Sequence, residues 1–220
     1  MKPRELKSAI YNEMAGMTKA LGNPHRLEIL DLLAQGPAPV DYISKNTALS
    51  VANASQHLQV LRNAKLVESD RRGKYVYYRL ASQHVFNAWC NLRKLGFSQN
   101  AEILRLLEDY RSKNKEFETM TAEQLIEKMD RDDVVVIDVR PEEEFETGHI
   151  KHAKSYPQRN LYERMAELSK EKEIVAYCRG PLCLMADEAV KFLNKNGYKA
   201  KRLEQGFPDW ESEGHPVENR

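Results

Sequence analysis

The sequence is poor in the features that would place it outside a reducing, aqueous compartment. Its 220 residues hold 3 cysteines, an odd and small number that excludes a disulfide scaffold. The longest wholly aliphatic run is Val134-Val135-Val136-Ile137, far short of the roughly 20 apolar residues that a membrane-spanning helix needs. The stretch Met1 to Leu21 carries Arg4, Glu5, Lys7 and Glu13 and no apolar centre, so it is not expected to act as a signal peptide. There is no internal repeat and no low-complexity tract. An overall excess of one charge is also missing, since 34 basic and 33 acidic residues leave a net +1. With 41% hydrophobic and 30% charged residues, the chain is too apolar for disorder and too evenly charged for a fibre. These absences point to a soluble, cytoplasmic globular protein with no membrane partner, built as one large domain or two small ones.

The near-zero net charge conceals a division. Residues 1 to 115 contain 18 basic and 10 acidic side chains, a net of +8, and the remainder contains 16 and 23, a net of −7. A basic half joined to an acidic half implies two modules with different partners, the first suited to a polyanion.

The hydrophobic period changes at the same place. In the first half, Asn23-Pro24 combines a capping side chain with proline at the first helical position. Leu27, Leu30 and Leu33 follow at helical spacing, and Gly36-Pro37 ends the element. A short helix over Val40–Thr47, a turn through Ala48-Leu49-Ser50 and a second helix over Val51–Ala64 make a helix-turn-helix. Lys65 to Arg79 reads as a hairpin tipped by Arg71-Arg72-Gly73-Lys74. A long helix over Gln83–Lys113 is expected to break near Gly96. Its second part places Ile103, Leu106, Leu107 and Tyr110 on one apolar face.

The polar stretch Lys113 to Thr119 suits a linker, giving a first domain at 1–113, a linker at 114–119 and a second domain at 120–220. Beyond it, Val134–Val139 and Ile174–Tyr177 are nearly continuous apolar runs of the kind buried on both faces of a sheet. A helix over Met185–Asn196, closed by Gly197, and a strand over Lys199–Leu203 complete an alternation that implies a parallel α/β sheet. The fold class is therefore multidomain, a mainly-α helix-turn-helix domain with a hairpin wing followed by an α/β domain.

In a helix-turn-helix, the second helix enters the major groove, and side chains near its start reach base edges. Opposite the apolar positions Ala54, Leu58 and Leu61, this helix offers Asn53, Gln56 and His57. Ser50 and Ser55 are able to donate to phosphates. Arg62 on the same helix and Arg71, Arg72 and Lys74 on the hairpin supply cations for the backbone or the minor groove.

Three stretches in order resemble the ArsR family of winged-helix repressors: Ala20-Leu21-Gly22-Asn23-Pro24-His25-Arg26-Leu27-Glu28-Ile29-Leu30, Ala54 to Val67, and Gly73-Lys74-Tyr75-Val76-Tyr77-Tyr78-Arg79-Leu80. The resemblance implies a homodimer, held by its terminal helices, that binds a palindromic double-stranded operator and releases it when an inducer arrives. The metal ligands of sensing members are missing. Pro39-Val40-Asp41-Tyr42-Ile43 contains no cysteine, and Ser82, His84, Leu95 and Ser98 leave one donor where three or four are needed. No metal and no cofactor is expected. His84 reads as a surface or capping histidine, and Cys90 beside Trp89 as a buried structural thiol.

In the second half, the run Ile174-Val175-Ala176-Tyr177 delivers Cys178 to the C-terminal end of a strand, where α/β proteins place their ligands. The loop Arg179, Gly180, Pro181, Leu182, Cys183, Leu184 and Met185 leads from it into a helix whose positive end favours a thiolate. Further stretches, Ile137 to Ala153 and Leu203 to Trp210 with Gly214-His215-Pro216-Val217, resemble the signatures of the rhodanese family. That resemblance makes Cys178 the nucleophile that takes a sulfane sulfur from a donor and passes it to a thiol acceptor. Many rhodaneses carry an anion-binding arginine five residues later, where this chain has Cys183, and Pro181 removes one loop N–H. Cys183 is instead placed to attack a persulfide on Cys178 as a resolving thiol.

The sequence thus supports a DNA-binding regulator, a repressor by resemblance, whose second domain carries or senses sulfane sulfur. Three alternatives stand beside it: a working sulfurtransferase tethered to DNA, a thiophilic metalloid sensor using Cys178 and Cys183, and an inert rhodanese serving as a protein-binding module.

Overall fold

The computed structural model describes residues 1–112 and 118–218, which form two compact units, Met1–Gln99 and the chain from Asn100 onward. Residues 113–117, the larger part of the expected linker, lie outside the described residues; Thr119, at its end, already belongs to a strand.

The first unit contains α1 (Pro3–Leu21), α2 (Pro24–Leu33), β1 (Ala38–Pro39), α3 (Val40–Asn46), α4 (Val51–Asn63), β2 (Val67–Arg72), β3 (Tyr75–Leu80) and α5 (Gln83–Gln99). The Asn23 side chain accepts from the Arg26 N–H at 3.2 Å, so α2 starts where its capping signal lies. Ser50 caps α4 in the same way. Ile29, Leu30, Ile43, Ala54, Leu58 and Leu61 share one buried core, which locks the turn between α3 and α4 and turns the opposite face of α4 outward. Gly73, at φ 61°, makes the tight tip between the antiparallel strands β2 and β3. A third strand appears that sequence patterning does not predict: Ala38 and Pro39 pair with Tyr78 and Tyr77 to give the order β1-β3-β2.

The expected break in the long helix falls four residues later than Gly96. Asn100 ends α5 and caps α6 (Ala101–Ser112), its side-chain oxygen accepting from the Glu102 N–H at 3.1 Å. An asparagine that satisfies an otherwise unpaired N–H is a stronger boundary than a glycine that helices tolerate. Within α6, Ile103, Leu107 and Tyr110 are half-buried while Leu106 is exposed, so the packed stripe is narrower than expected.

The second unit continues through β4 (Thr119–Met120), α7 (Ala122–Asp130), β5 (Val134–Asp138), α8 (Glu142–Thr147), β6 (His149–Ile150), β7 (Lys154–Ser155), α9 (Gln158–Arg164), β8 (Glu173–Tyr177), α10 (Met185–Lys195), β9 (Ala200–Leu203), α11 (Phe207–Ser212) and β10 (Val217–Glu218). Five strands form a parallel sheet in the order β4-β9-β8-β5-β7, and β6 pairs antiparallel with β10. Successive residues of β8 serve opposite layers. Ile174, Ala176 and Cys178 join the core that includes Ala186, Ala189, Val190 and Leu193 of α10, while Val175 and Tyr177 join the core around Leu125 and Trp210. The continuous apolar run is the consequence of this two-sided burial.

Arg140, fully buried, fastens the end of β5. Its guanidinium donates to Asp138 at 2.6 to 3.0 Å and to the Gly148 carbonyl at 2.7 Å, and it lies 4.5 Å from the Phe207 ring centre. Asp138→Ala would leave that charge buried without its carboxylate, and should destabilise the second unit by about 3–5 kcal/mol. Urea unfolding followed by Trp210 fluorescence in a Trp89→Phe background measures this, and a loss below about 1 kcal/mol would contradict the role assigned to the pair.

Candidate functional site

On the first unit, Asn53, Ser55 and Gln56 stand exposed on the outward face of α4. The Ser50 hydroxyl accepts from the Asn53 N–H at 3.3 Å, so its cap role accompanies any contact it makes outside the chain. His57 is half-buried, its ring centre 5.5 Å from that of His25. Burial, aided by Arg26 and His25, pushes its pKa down and so favours the neutral ring, which can both donate and accept a hydrogen bond. Arg62 donates to Ser69 of β2 at 3.3 Å and so links the reading helix to the hairpin.

At the hairpin, Arg71 donates to the Gly73 carbonyl at 3.2 Å, and Lys74 lies over the Tyr75 ring at 5.2 Å. Arg72 is paired with Asp70 at 2.8 Å and stacks 4.9 Å from the Tyr77 ring centre. Its charge is therefore partly offset, whereas Arg71 meets only a backbone carbonyl among the described residues of the wing.

In the second unit, Cys178 follows β8 directly, is 2% exposed and is joined by a disulfide to Cys183 across a Cα separation of 6.5 Å. The loop between them is held from several directions. The Cys183 N–H donates to the Gly180 carbonyl at 3.0 Å, and the Phe207 N–H to the Cys178 carbonyl at 3.0 Å. Gly206 lies so near that a Cβ there would overlap the Arg179–Gly180 peptide. Pro181 is half-buried and Leu182 exposed, while Leu184 and Met185 are partly buried at the entry to α10.

Arg179, the residue after Cys178, directs its charge away from the thiol. It makes hydrogen bonds of 2.6 to 3.1 Å with both oxygens of buried Glu144, so its charge is balanced by that carboxylate. Two other arginines meet the loop. Arg202 donates to the Gly180 carbonyl and Arg111 to the Pro181 carbonyl, each at 3.1 Å. Between them sits Asp187, buried in the first turn of α10, 3.3 Å from the Arg202 Nε and 3.6 Å from the Arg111 guanidinium. Burial raises the Asp187 pKa against the pull of both arginines, and burial likewise lowers that of Arg202.

Sequence reasoning passed over Glu144, Asp187, Arg202, Gly206 and Arg111. Arg202 had a signal, since a cation inside a strand expected to be buried needs an acidic partner. Glu144 was concealed in the run Glu142-Glu143-Glu144, which reads as a solvated face. His84 is exposed and Cys90 is buried with Trp89 in the first unit. Among the described residues, no cluster of three or more His, Cys, Asp or Glu is placed to hold a metal ion. No described helix is long and apolar enough to cross a membrane.

The packing of Gly206 against the loop generates a prediction. Gly206→Ala should displace the Arg179–Gly180 peptide and reduce disulfide formation between Cys178 and Cys183 under mild oxidation, read by thiol alkylation and intact mass. Wild-type disulfide formation would show that the loop does not depend on this approach.

Comparison with known proteins places both halves. Residues 23–69 match the bacterial regulatory protein, arsR family, and residues 121–213 match the rhodanese-like domain. The HTH-type transcriptional regulator Rv0324 of Mycobacterium tuberculosis is 36% identical over 212 residues, covering 96% of this chain and 93% of the relative. Among solved structures, the homodimeric winged helix-turn-helix DNA-binding domain Mb0332 from Mycobacterium bovis is 36% identical. It covers 46% of this chain and 91% of that one, with a TM-score of 0.43. A rhodanese-related protein from Thermoplasma volcanium is 27% identical over 47% of this chain and all (100%) of that one, also with a TM-score of 0.43. With helix-turn-helix and rhodanese-like halves matched in order and a full-length relative of the same make-up, this chain belongs to the ArsR-family DNA-binding transcriptional regulators that carry a C-terminal rhodanese-like domain.

Proposed function

We propose that this regulator is a cytoplasmic homodimer that represses from a palindromic operator and releases it when sulfane sulfur reaches Cys178. The observation that carries the reading is the Cys178–Cys183 pair at the C-terminal end of the central strand β8, on the same chain as a DNA reader. The Cys178 thiolate attacks the outer sulfur of a persulfide donor, forming a Cys178 persulfide and releasing the donor's thiolate. The Cys183 thiolate then attacks the Cys178 Sγ, forming the disulfide and expelling hydrosulfide. Two thiols are oxidised and one sulfane sulfur is reduced to sulfide. Thiosulfate suits this site poorly, because Cys183 stands where an anion-binding arginine would and Arg179 is engaged by Glu144.

The dimer is supported by α1, which leaves Leu6, Ile10, Tyr11, Met14 and Met17 exposed along its length. A stripe of that size is more readily explained by a second copy than by solvent. On DNA, Asn53, Gln56 and His57 read base edges, while Ser50, Ser55, Arg62, Arg71, Arg72 and Lys74 engage the backbone.

Two outcomes test this reading. Exposing the operator complex to an organic persulfide should weaken wild-type binding roughly 5- to 150-fold, the range of ordinary allosteric coupling. Cys178→Ser should abolish that response and Cys183→Ser should blunt it; a Cys178→Ser protein that responds as wild type does would end the sulfur reading. Separately, Arg71→Ala should lower the salt slope of binding by about 1 for all sequences alike, with a smaller change at the Asp70-paired Arg72. Gln56→Ala should instead relax preference at particular base pairs at a cost of about 1–3 kcal/mol. Loss of all sequence preference on replacing Arg71 alone would contradict this division of roles.

A further inference from the structure

We propose that Arg111 is a positioning residue of the sulfur site, which makes α6 a working part of it. The inference rests on the reading of Cys178 and Cys183 as a functional pair, and extends the site to a helix that neither family match covers: the matches span residues 23–69 and 121–213, and α6 spans Ala101–Ser112.

The last turn of α6 meets both the loop and the start of α10. Arg111 donates to the Pro181 carbonyl at 3.1 Å and lies 3.6 Å from Asp187, and the adjacent Tyr110 hydroxyl donates to Glu188 at 3.4 Å. On the other side of Asp187, Arg202 donates to the Gly180 carbonyl at 3.1 Å. Two guanidinium groups thus hold successive carbonyls of the loop, with one carboxylate between them.

Peptide planarity turns this into control of the thiol's surroundings. In a trans peptide the N–H points opposite to the C=O, so fixing the Pro181 carbonyl on Arg111 fixes the direction of the Leu182 N–H. Pro181 has no N–H of its own, which leaves Leu182 as the first donor available after Gly180. The same restraint sets how far Cys183 lies from Cys178.

The cluster is also held without being saturated. Among the described residues, both carboxylate oxygens of Asp187 and the Nε atoms of Arg111 and Arg202 find no partner in good hydrogen-bond geometry, though Asp187 is only 1% and Arg202 3% exposed. Ion pairs at 3.3 and 3.6 Å offset the charges across distances longer than a good charge-assisted hydrogen bond. Buried polar groups in that condition respond to small displacements, so the cluster and the loop must move together.

The experiment uses the full-length chain and measures the equilibrium between Cys178–Cys183 dithiol and disulfide in graded mixtures of reduced and oxidised dithiothreitol, quantified by alkylation and intact mass. Arg111→Ala should shift this equilibrium toward the dithiol by about tenfold, the effect of one charge-assisted hydrogen bond that holds Cys183 in place. Arg111→Lys, which keeps a donor and a charge, should recover part of the loss, and Tyr110→Phe should produce a smaller shift in the same direction. A merely structural role would lower stability in both redox forms and leave their ratio unmoved. An equilibrium unchanged or shifted toward the disulfide in Arg111→Ala overturns the proposal. If that variant fails to fold, Arg111→Lys and Tyr110→Phe decide it: wild-type ratios in both overturn it. The assay contains no DNA and no sulfane sulfur, so its failure and that of the sensing reading are separately visible.

Discussion

A single buried carboxylate between two arginines holds together the part of this protein where chemistry and chain connectivity meet. Asp187 occupies the first turn of α10, where the loop from Cys178 enters the helix, and its neighbours Arg111 and Arg202 each grip a loop carbonyl. Burial penalises the charges, and their mutual attraction offsets the penalty only while all three stay in place. The loop can therefore not be rebuilt by thiol chemistry without disturbing groups that reach β9 and α6.

That linkage matters because of where α6 stands in the chain. It follows α5 after the single residue Asn100, whose side chain caps it, and α5 is the last helix of the DNA-reading unit. On the proposed sulfur reading, modification of Cys178 has to alter the free energy of the DNA-competent state. In the second unit, α6 follows α5 directly in the chain and its last turn bonds the loop after Cys178. The charge division of the sequence follows the same boundary, with the basic half carrying the DNA reader and the acidic half the rhodanese-like domain.

The sequence disclosed those features whose causes are local. Asn23-Pro24 and Ser50 announce their helices because capping is decided within three residues. The apolar run ending at Tyr177 places Cys178 because two-sided burial leaves a pattern in consecutive residues. What stayed hidden depends on distant partners. Ala38-Pro39 became a strand because β3 lay beside it. Arg179 is bound by Glu144, 35 residues earlier, and Arg111 meets Pro181 across 70 residues. No local signature distinguishes those arginines from solvated ones. Leu106 shares the helical stripe of Ile103, Leu107 and Tyr110 yet is exposed, since a stripe shows which residues share a face and not how wide the packed surface is.

The most direct test of the account is hydrogen exchange across residues 101–112 of the full-length chain, compared between the Cys178–Cys183 dithiol and disulfide forms. The account predicts that protection in the last turn of α6 changes with the redox state of the pair, while that of α2, in the core of the reading unit, does not. Superimposable exchange in α6 for the two forms would contradict it.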